Sequence, residues 1–314
     1  MTTENPTSHS VEQQNVEQQN KALFHRWFEQ AWNAGHYEVA HEVISPKMKV
    51  HGAGGQPVEM GPDGLIGLIS TWRGAFPDGQ MVSSGLIAEG DLVAALLTWR
   101  GTHTGEFYGI PASGREVVCT SIGLDRIEGG IIVDGWGELD MVGMMQQMGG
   151  MPTLGPGASA NGESAEWGSP QQVVAGPSSG NEKAVAATFV EAFNRGDLSS
   201  VLESGYREYA PVYGATNAED SARVLSELRA ALPDLHYAVD ASVSLSEGDL
   251  VVIHGVLSGT YNGGGLWGST PNGKTVTWTQ TELLRVAGGK VLERWVCTDN
   301  MALLTQIGLL GAGS

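Results

Sequence analysis

Glu89-Gly90-Asp91-Leu92-Val93 in the first half of the chain is answered by Glu247-Gly248-Asp249-Leu250-Val251 in the second. The echo extends both ways. Upstream, Ala31-Trp32-Asn33-Ala34-Gly35 matches Ala192-Phe193-Asn194-Arg195-Gly196, and Phe76-Pro77-Asp78 matches Leu232-Pro233-Asp234. Downstream, Gly101-Thr102 matches Gly259-Thr260, and Trp136 with Asp140 matches Trp295 with Asp299. The offset stays near ~160 residues, the size of a domain rather than of a solenoid repeat. The chain therefore reads as two copies of one unit, and the order of elements within a copy decides the fold.

Each copy opens with helices and closes with strands. In the first, Leu23/Phe24, Trp27/Phe28 and Ala31/Trp32 recur at helical spacing, and Gly35 suits a left-handed cap. A short helix over about 37–44 precedes Pro46, a short strand over 47–52 carries His51, and Pro62-Asp63 opens a helix ending near Pro77. From there the period changes to two. Strands are predicted near 80–88, 91–103, 115–128 and 130–139, and Asp140 caps a final helix from Met141 to Met148. The second copy repeats this order. Helices are predicted over about 182–194, with Asn181 as N-cap, and 218–231. Strands follow near 235–246, 249–261, 273–286 and 290–298, and a last helix begins at Asp299. Helices followed by an antiparallel meander form an α+β pattern. The expected product is two tandem cone-shaped α+β barrels, each a curved sheet wrapped on helices around a cavity. The expected divisions are a disordered polar tail over 1–18, one domain over 19–148, a Gly/Ser/Pro linker over 149–180 and a second domain over 181–314.

Composition removes several function classes. The 314 residues carry a net charge of −18 spread over both halves, which disfavours nucleic acid and anionic membrane surfaces as partners. The two cysteines, Cys119 and Cys297, are too few for a disulfide framework, and no apolar run reaches the ~18 residues of a membrane span. A cytoplasmic location is expected. No Cys/His cluster has zinc spacing, the glycines follow no nucleotide-loop pattern, and no Gly-x-Ser-x-Gly elbow occurs. Neither a metal nor a cofactor is expected.

Each half resembles a SnoaL-like polyketide cyclase domain, within the superfamily of nuclear transport factor 2. The resemblance is carried in the first half by Trp32-Asn33-Ala34-Gly35, Phe76-Pro77-Asp78, the run Gly101 to Pro111, Trp136 to Asp140 and the ending Gly143 to Gly149. In the second it is carried by Gly259-Thr260, Gly273-Lys274, Trp295 to Asp299 and Gln306-Ile307-Gly308. It implies a pocket inside each cone and a small apolar polyketide-like substrate. It also implies cofactor-free chemistry by an acid/base side chain on the last strand and a histidine on the preceding one. Single-domain relatives pair through the outer sheet face, so an intrachain pseudo-dimer is implied, with further oligomerisation open. The sequence departs from that pattern. The family's aspartate falls at Gly137 and Val296, and its histidine at Gly123 and Glu282.

The two copies depart unequally. Strand parity places Val276, Trp278, Gln280 and Glu282 on one face, and Val117, Cys119, Ser121 and Gly123 on the matching face of the first copy. With Glu282 directed into an apolar cone, it is the candidate general acid or base. Arg294 and Gln280 would stabilise an oxyanion, and Trp278 would form the wall. The alternative is a structural Glu282–Arg294 ion pair. The first copy's small residues make room for ligand and leave His51 and Asp125 as its acid/base groups. Tyr209, Cys119 and Trp99 complete the candidate substrate contacts. Asp140 and Asp299 read as helix N-caps, and His103 and Tyr261 as rim residues. The function implied is a cofactor-independent cyclase or isomerase. A non-catalytic metabolite binder and a shape-only catalyst remain as alternatives.

Overall fold

The computed structural model describes residues 6–52, 57–151, 172–210 and 216–310. In the first unit helix α1 (Pro6–Arg26) runs into a π-helical stretch, Trp27–Asn33, followed by α2 (Glu38–Val43), β1 (Ile44–His51), β2 (Val58–Glu59) and α3 (Pro62–Ala75). The meander is β3 (Gln80–Glu89), β4 (Leu92–Thr102), β5 (Glu116–Glu128) and β6 (Ile131–Leu139), closed by α4 (Met141–Met148). The second unit repeats the order as α5 (Glu182–Arg195), β7 (Leu202–Tyr209), α6 (Ala218–Ala231), β8 (His236–Val239), β9 (Leu245–Glu247), β10 (Leu250–Thr260), β11 (Thr275–Ala287), β12 (Lys290–Thr298) and α7 (Asn300–Gln306). The sheets run β2-β1-β6-β5-β4-β3 and β7-β12-β11-β10-β8, with β9 beside β10. In each, the first strand lies parallel to the last, β1 on β6 and β7 on β12.

The repeated motifs turn out to be clips that hold backbone. The Asn33 side chain bonds to both backbone groups of Met81, at 2.7 and 2.9 Å, and Asn194 does the same with Tyr237 at 2.8 and 3.0 Å. Asp78 accepts from the Thr102 amide and hydroxyl, as Asp234 does from Thr260. Asp140 and Asp299 cap α4 and α7 by accepting from the Gly143 and Ala302 amides. Gln147 then ties α4 to both backbone groups of Val118, and Gln306 ties α7 to those of Thr277.

The outer sheet faces pack on each other. Leu92, Ala94, Leu96, Ile122 and Leu124 from one meet Leu250, Val252, Leu283 and Trp295 from the other in one buried layer. Glu-Gly-Asp-Leu-Val sits at its edge as a reciprocal clasp. Glu247 accepts from the Ala88 amide at 2.8 Å, and Glu89 accepts from the Ser246 amide at 2.6 Å. Each carboxylate also pairs with a lysine from the helix of the opposite unit, Lys21 with Glu247 and Lys183 with Glu89.

Several expectations are corrected. The segment expected as a disordered tail is helical from Pro6, and Glu17 and Asn20 bond to the Gly90 amide and carbonyl at the β3–β4 turn. Residues 1–5 lie outside the described residues. So do residues 152–171 of the expected linker. Its end runs over the seam, where Val173 donates to the Ser84 carbonyl and Gly176 to Asp249. The strand predicted over 235–246 is split, because Asp240 accepts from the Ser242 amide and closes a short 3-10 turn. Asn181 makes no capping bond, and Glu182 instead accepts from Ser178 and Ser179. His103 and Tyr261 are fully buried pegs rather than rim residues, bonded to Ser113 and to the Leu266 amide.

The clasp makes a symmetric prediction. Glu89→Ala and Glu247→Ala should each cost about 1 kcal/mol, a drop in Tm of about 2–4 °C, by equal amounts. Thermal unfolding followed by circular dichroism checks this. An unchanged Tm in both variants would remove the clasp from the account.

Candidate functional site

The concave faces of the two sheets differ in what fills them. On β5 the inward positions are Cys119, Ser121, Gly123 and Asp125, and on β6 they are Gly135, Gly137 and Leu139. Cross-strand register gives the counterparts. Gly123 pairs with Gly137 and Asp125 with Gly135, where Glu282 pairs with Val296 and Leu284 with Arg294. On the neighbouring strand Val50 pairs with Gly135, where Glu208 pairs with Arg294.

In the second unit these positions hold an ionic network. Arg294 Nε donates to Glu282 Oε2 at 2.6 Å, and Nη1 donates to Glu208 Oε1 at 3.1 Å. Gln280 Nε2 donates to the other oxygen of Glu282 at 2.5 Å. The hydroxyls of Tyr206 and Ser221 both donate to Glu208 Oε2. The guanidinium lies 5.2 Å over the Phe189 ring. Burial alone would lower the pKa of Arg294, but the Glu282 and Glu208 carboxylates outweigh it and hold the pKa well above the ordinary range. Glu282 thus faces inward, as strand parity predicts, with no exposure at all. The expectation of a carboxyl free to exchange a proton with ligand gives way here to an ion pair saturated with donors. Trp278 and Gln280, fully and almost fully buried, pack in the same core rather than lining an opening.

In the first unit the same positions are small, and a cavity of about 360 Å³ opens, within the range of small-molecule sites. Its walls include Trp27, Phe28 and Trp32 from the π-helical stretch, Leu65, Leu68 and Trp72 from α3, and Trp99, Met48 and Val50 from the strands. The π-helical register is seen in the Ala34 amide, which donates to the carbonyl five residues back. The matching stretch of α5 is α-helical. Tyr108, 60% exposed, marks where the cavity meets solvent. It sits at φ 48°, held there by the paired backbone bonds between Phe107 and Ile110.

Asp125 is the one carboxyl among the described lining residues. Burial raises its pKa from 3.8 to about 7, and among the described residues no donor reaches it. Glycine at 135 makes its place, since a β-carbon there would lie 2.9 Å from Asp125 Oδ1 and 2.6 Å from the Met48 methyl. Cys119 and Trp99, both expected as substrate contacts, line the cavity beside it. His51 and Tyr209 do not. Alternation along β1 directs Ile44, Met48 and Val50 inward and His51 to the opposite side, where it bonds to Asp134 at 2.8 Å and stacks on Trp136. Tyr209 stacks likewise on Trp295 in the seam. The sequence signal for the open cone was the inward-parity set Gly123, Gly135 and Gly137, read against Glu282, Arg294 and Val296. Among the described residues no group of three or more His, Cys, Asp or Glu side chains is placed to hold a metal ion.

The model of the SnoaL-like polyketide cyclases matches residues 22–148 and again residues 183–307. The chain belongs to this family. Solved structures of the family each match well under half of the chain's length. A provisionally named SnoaL-like polyketide cyclase from Jannaschia sp. CCS1 is 26% identical, covering 44% of this chain and 96% of its own, with a TM-score of 0.40. IdmH from Streptomyces antibioticus, provisionally named a polyketide cyclase, is 31% identical over 42% of this chain and 99% of its own, with a TM-score of 0.38. A protein from Acidithiobacillus ferrooxidans with the same provisional name is 26% identical over 41% and 94%, with a TM-score of 0.39. No curated protein matches the chain.

The raised pKa of Asp125 has a stability consequence with a definite sign. Below pH 3.8 the group is protonated folded or unfolded. As the pH rises the unfolded chain ionises first, so the native state loses stability up to about pH 7 and no more above it. Relative to Asp125→Asn, the native chain should lose up to about 4 kcal/mol across that window. Denaturant unfolding of both proteins from pH 4 to 8 checks this, and a constant difference would mean the carboxyl is not raised.

Proposed function

We propose that the chain is a cofactor-independent cyclase or isomerase for a bulky apolar polyketide-type intermediate in natural-product biosynthesis, acting in the cavity of the first unit. The observation that carries this is an unpaired carboxyl, Asp125, in an aromatic-walled cavity, with a pKa near neutrality. Half ionised at about pH 7, it is matched both to take and to return a proton. As a base it removes a proton from a carbon alpha to a carbonyl. In an isomerisation the proton returns to another carbon of the dienolate. In a cyclisation the enolate carbon bonds to a second carbonyl carbon, and the proton goes to the resulting alkoxide. Trp99 and Cys119 would contact the substrate, and the Glu282–Arg294 network would hold the second unit as a rigid partner. The absence of charged side chains other than Asp125 from the described lining favours a second reading, a carrier of an apolar metabolite.

Exchange of the alpha protons of 2-tetralone in deuterated buffer, followed by NMR, separates the two. The chain should accelerate exchange, and Asp125→Asn should lose at least about a hundredfold of that rate. Binding without acceleration, or acceleration indifferent to Asp125→Asn, would discard the enzymatic reading.

A further inference from the structure

The second unit shows what a filled version of this cone contains: a guanidinium, held between carboxylates and over an aromatic ring. Arg294 bonds to Glu282 and Glu208 and lies 5.2 Å over Phe189. Phe189 lies on α5, and the matching stretch of the first unit, wound as a π-helix, brings Trp27, Phe28 and Trp32 to the cavity wall. The first unit therefore keeps an aromatic face, and it replaces Arg294, Glu282 and Glu208 with Gly135, Gly123 and Val50, which also line the cavity. One carboxyl is restored on β5, two positions along, as Asp125. Its cross-strand neighbour is Gly135, the position that bears the arginine in the other unit. Asp125 Oδ1 lies 2.9 Å from where a side chain at 135 would begin. No lysine or arginine is among the described lining residues. The cone has kept the anion and the aromatic face and lost the cation.

We infer that the ligand supplies that cation: the cavity takes an apolar, aromatic-sized molecule bearing a protonated amine or guanidine, its cation placed on Asp125 and its apolar body against the aromatic wall of the cavity. This rests on the reading of the first unit's cavity as the ligand site, and it names the ligand's class. The physics is that of the Arg294 network. A desolvated carboxylate is stabilised by an opposite charge within a few ångströms, and a cation over an aromatic face gains further attraction. The arrangement also fits acid/base work. A cation on one oxygen of Asp125 opposes the effect of burial and favours the ionised form in the complex, leaving the other oxygen to accept a proton.

The test compares tryptamine, cationic at pH 7, with its neutral analogue tryptophol, each titrated calorimetrically into the full chain. Tryptamine should bind at least about tenfold more tightly. That preference should vanish in Asp125→Asn, and both ligands should be lost in Gly137→Trp, which fills the cavity from a position with open space above it. Equal or tighter binding of tryptophol overturns the inference. So does a preference that survives Asp125→Asn, or no binding of tryptamine at millimolar concentration. Should both ligands bind equally and both be lost in Gly137→Trp, the cation inference falls while the cavity reading stands. Binding indifferent to Gly137→Trp overturns both.

Discussion

A sheet that curls around helices encloses a volume on its concave side, and close packing requires that something occupy it. The two halves of this chain meet that requirement in opposite ways. The second fills its cone with Arg294, Glu208, Glu282 and Gln280, a set that tolerates burial because its hydrogen-bonding groups find partners within it. The first places Gly123, Gly135 and Gly137 at the matching inward positions and leaves a cavity of about 360 Å³. The candidate site follows from that subtraction of side chains.

The difference is affordable because the scaffold does not depend on the cone's contents. Asn33 and Asn194, Asp78 and Asp234, Asp140 and Asp299, and Gln147 and Gln306 tie helices and loops to strands by the same bonds in both halves. The outer sheet faces bury a shared layer between the units, clasped at its edge by Glu89 and Glu247. With both units held from outside, the interior of one is free to change. Tethering favours the shared contact further by raising the effective concentration of each half for the other.

Most of this architecture was legible in the sequence. The change of period from 3.6 to 2, the turn glycines and the internal repeat predict the element order and the four-stranded meander of each half. Strand parity likewise predicts that Glu282 and Arg294 share the inner face. Parity does not say whether the space beside a carboxyl is empty, because that depends on Glu208, Tyr206 and Ser221, which arrive from other elements. His51 faces outward because β1 gives its inner face to the apolar positions Ile44, Met48 and Val50, and a polar residue on a short strand does not by itself say which face it takes. The π-helical turn that brings Trp27, Phe28 and Trp32 to the cavity is equally silent, since its apolar spacing reads as an ordinary helix. The strand glycines at 123, 135 and 137 were visible, and the volume they free was the most direct sign of the site.

With Gly123 and Gly137 at two inward positions of the first unit, the one carboxyl among the described lining residues is Asp125 on β5, where Gly135 leaves room for it. One cone of the two is open. Counting sites for a neutral apolar dye, Nile red, by fluorescence titration measures this. One site per chain is expected, abolished by Gly123→Leu and retained in Val296→Ala. Two equivalent sites, or a single site indifferent to Gly123→Leu, would contradict it.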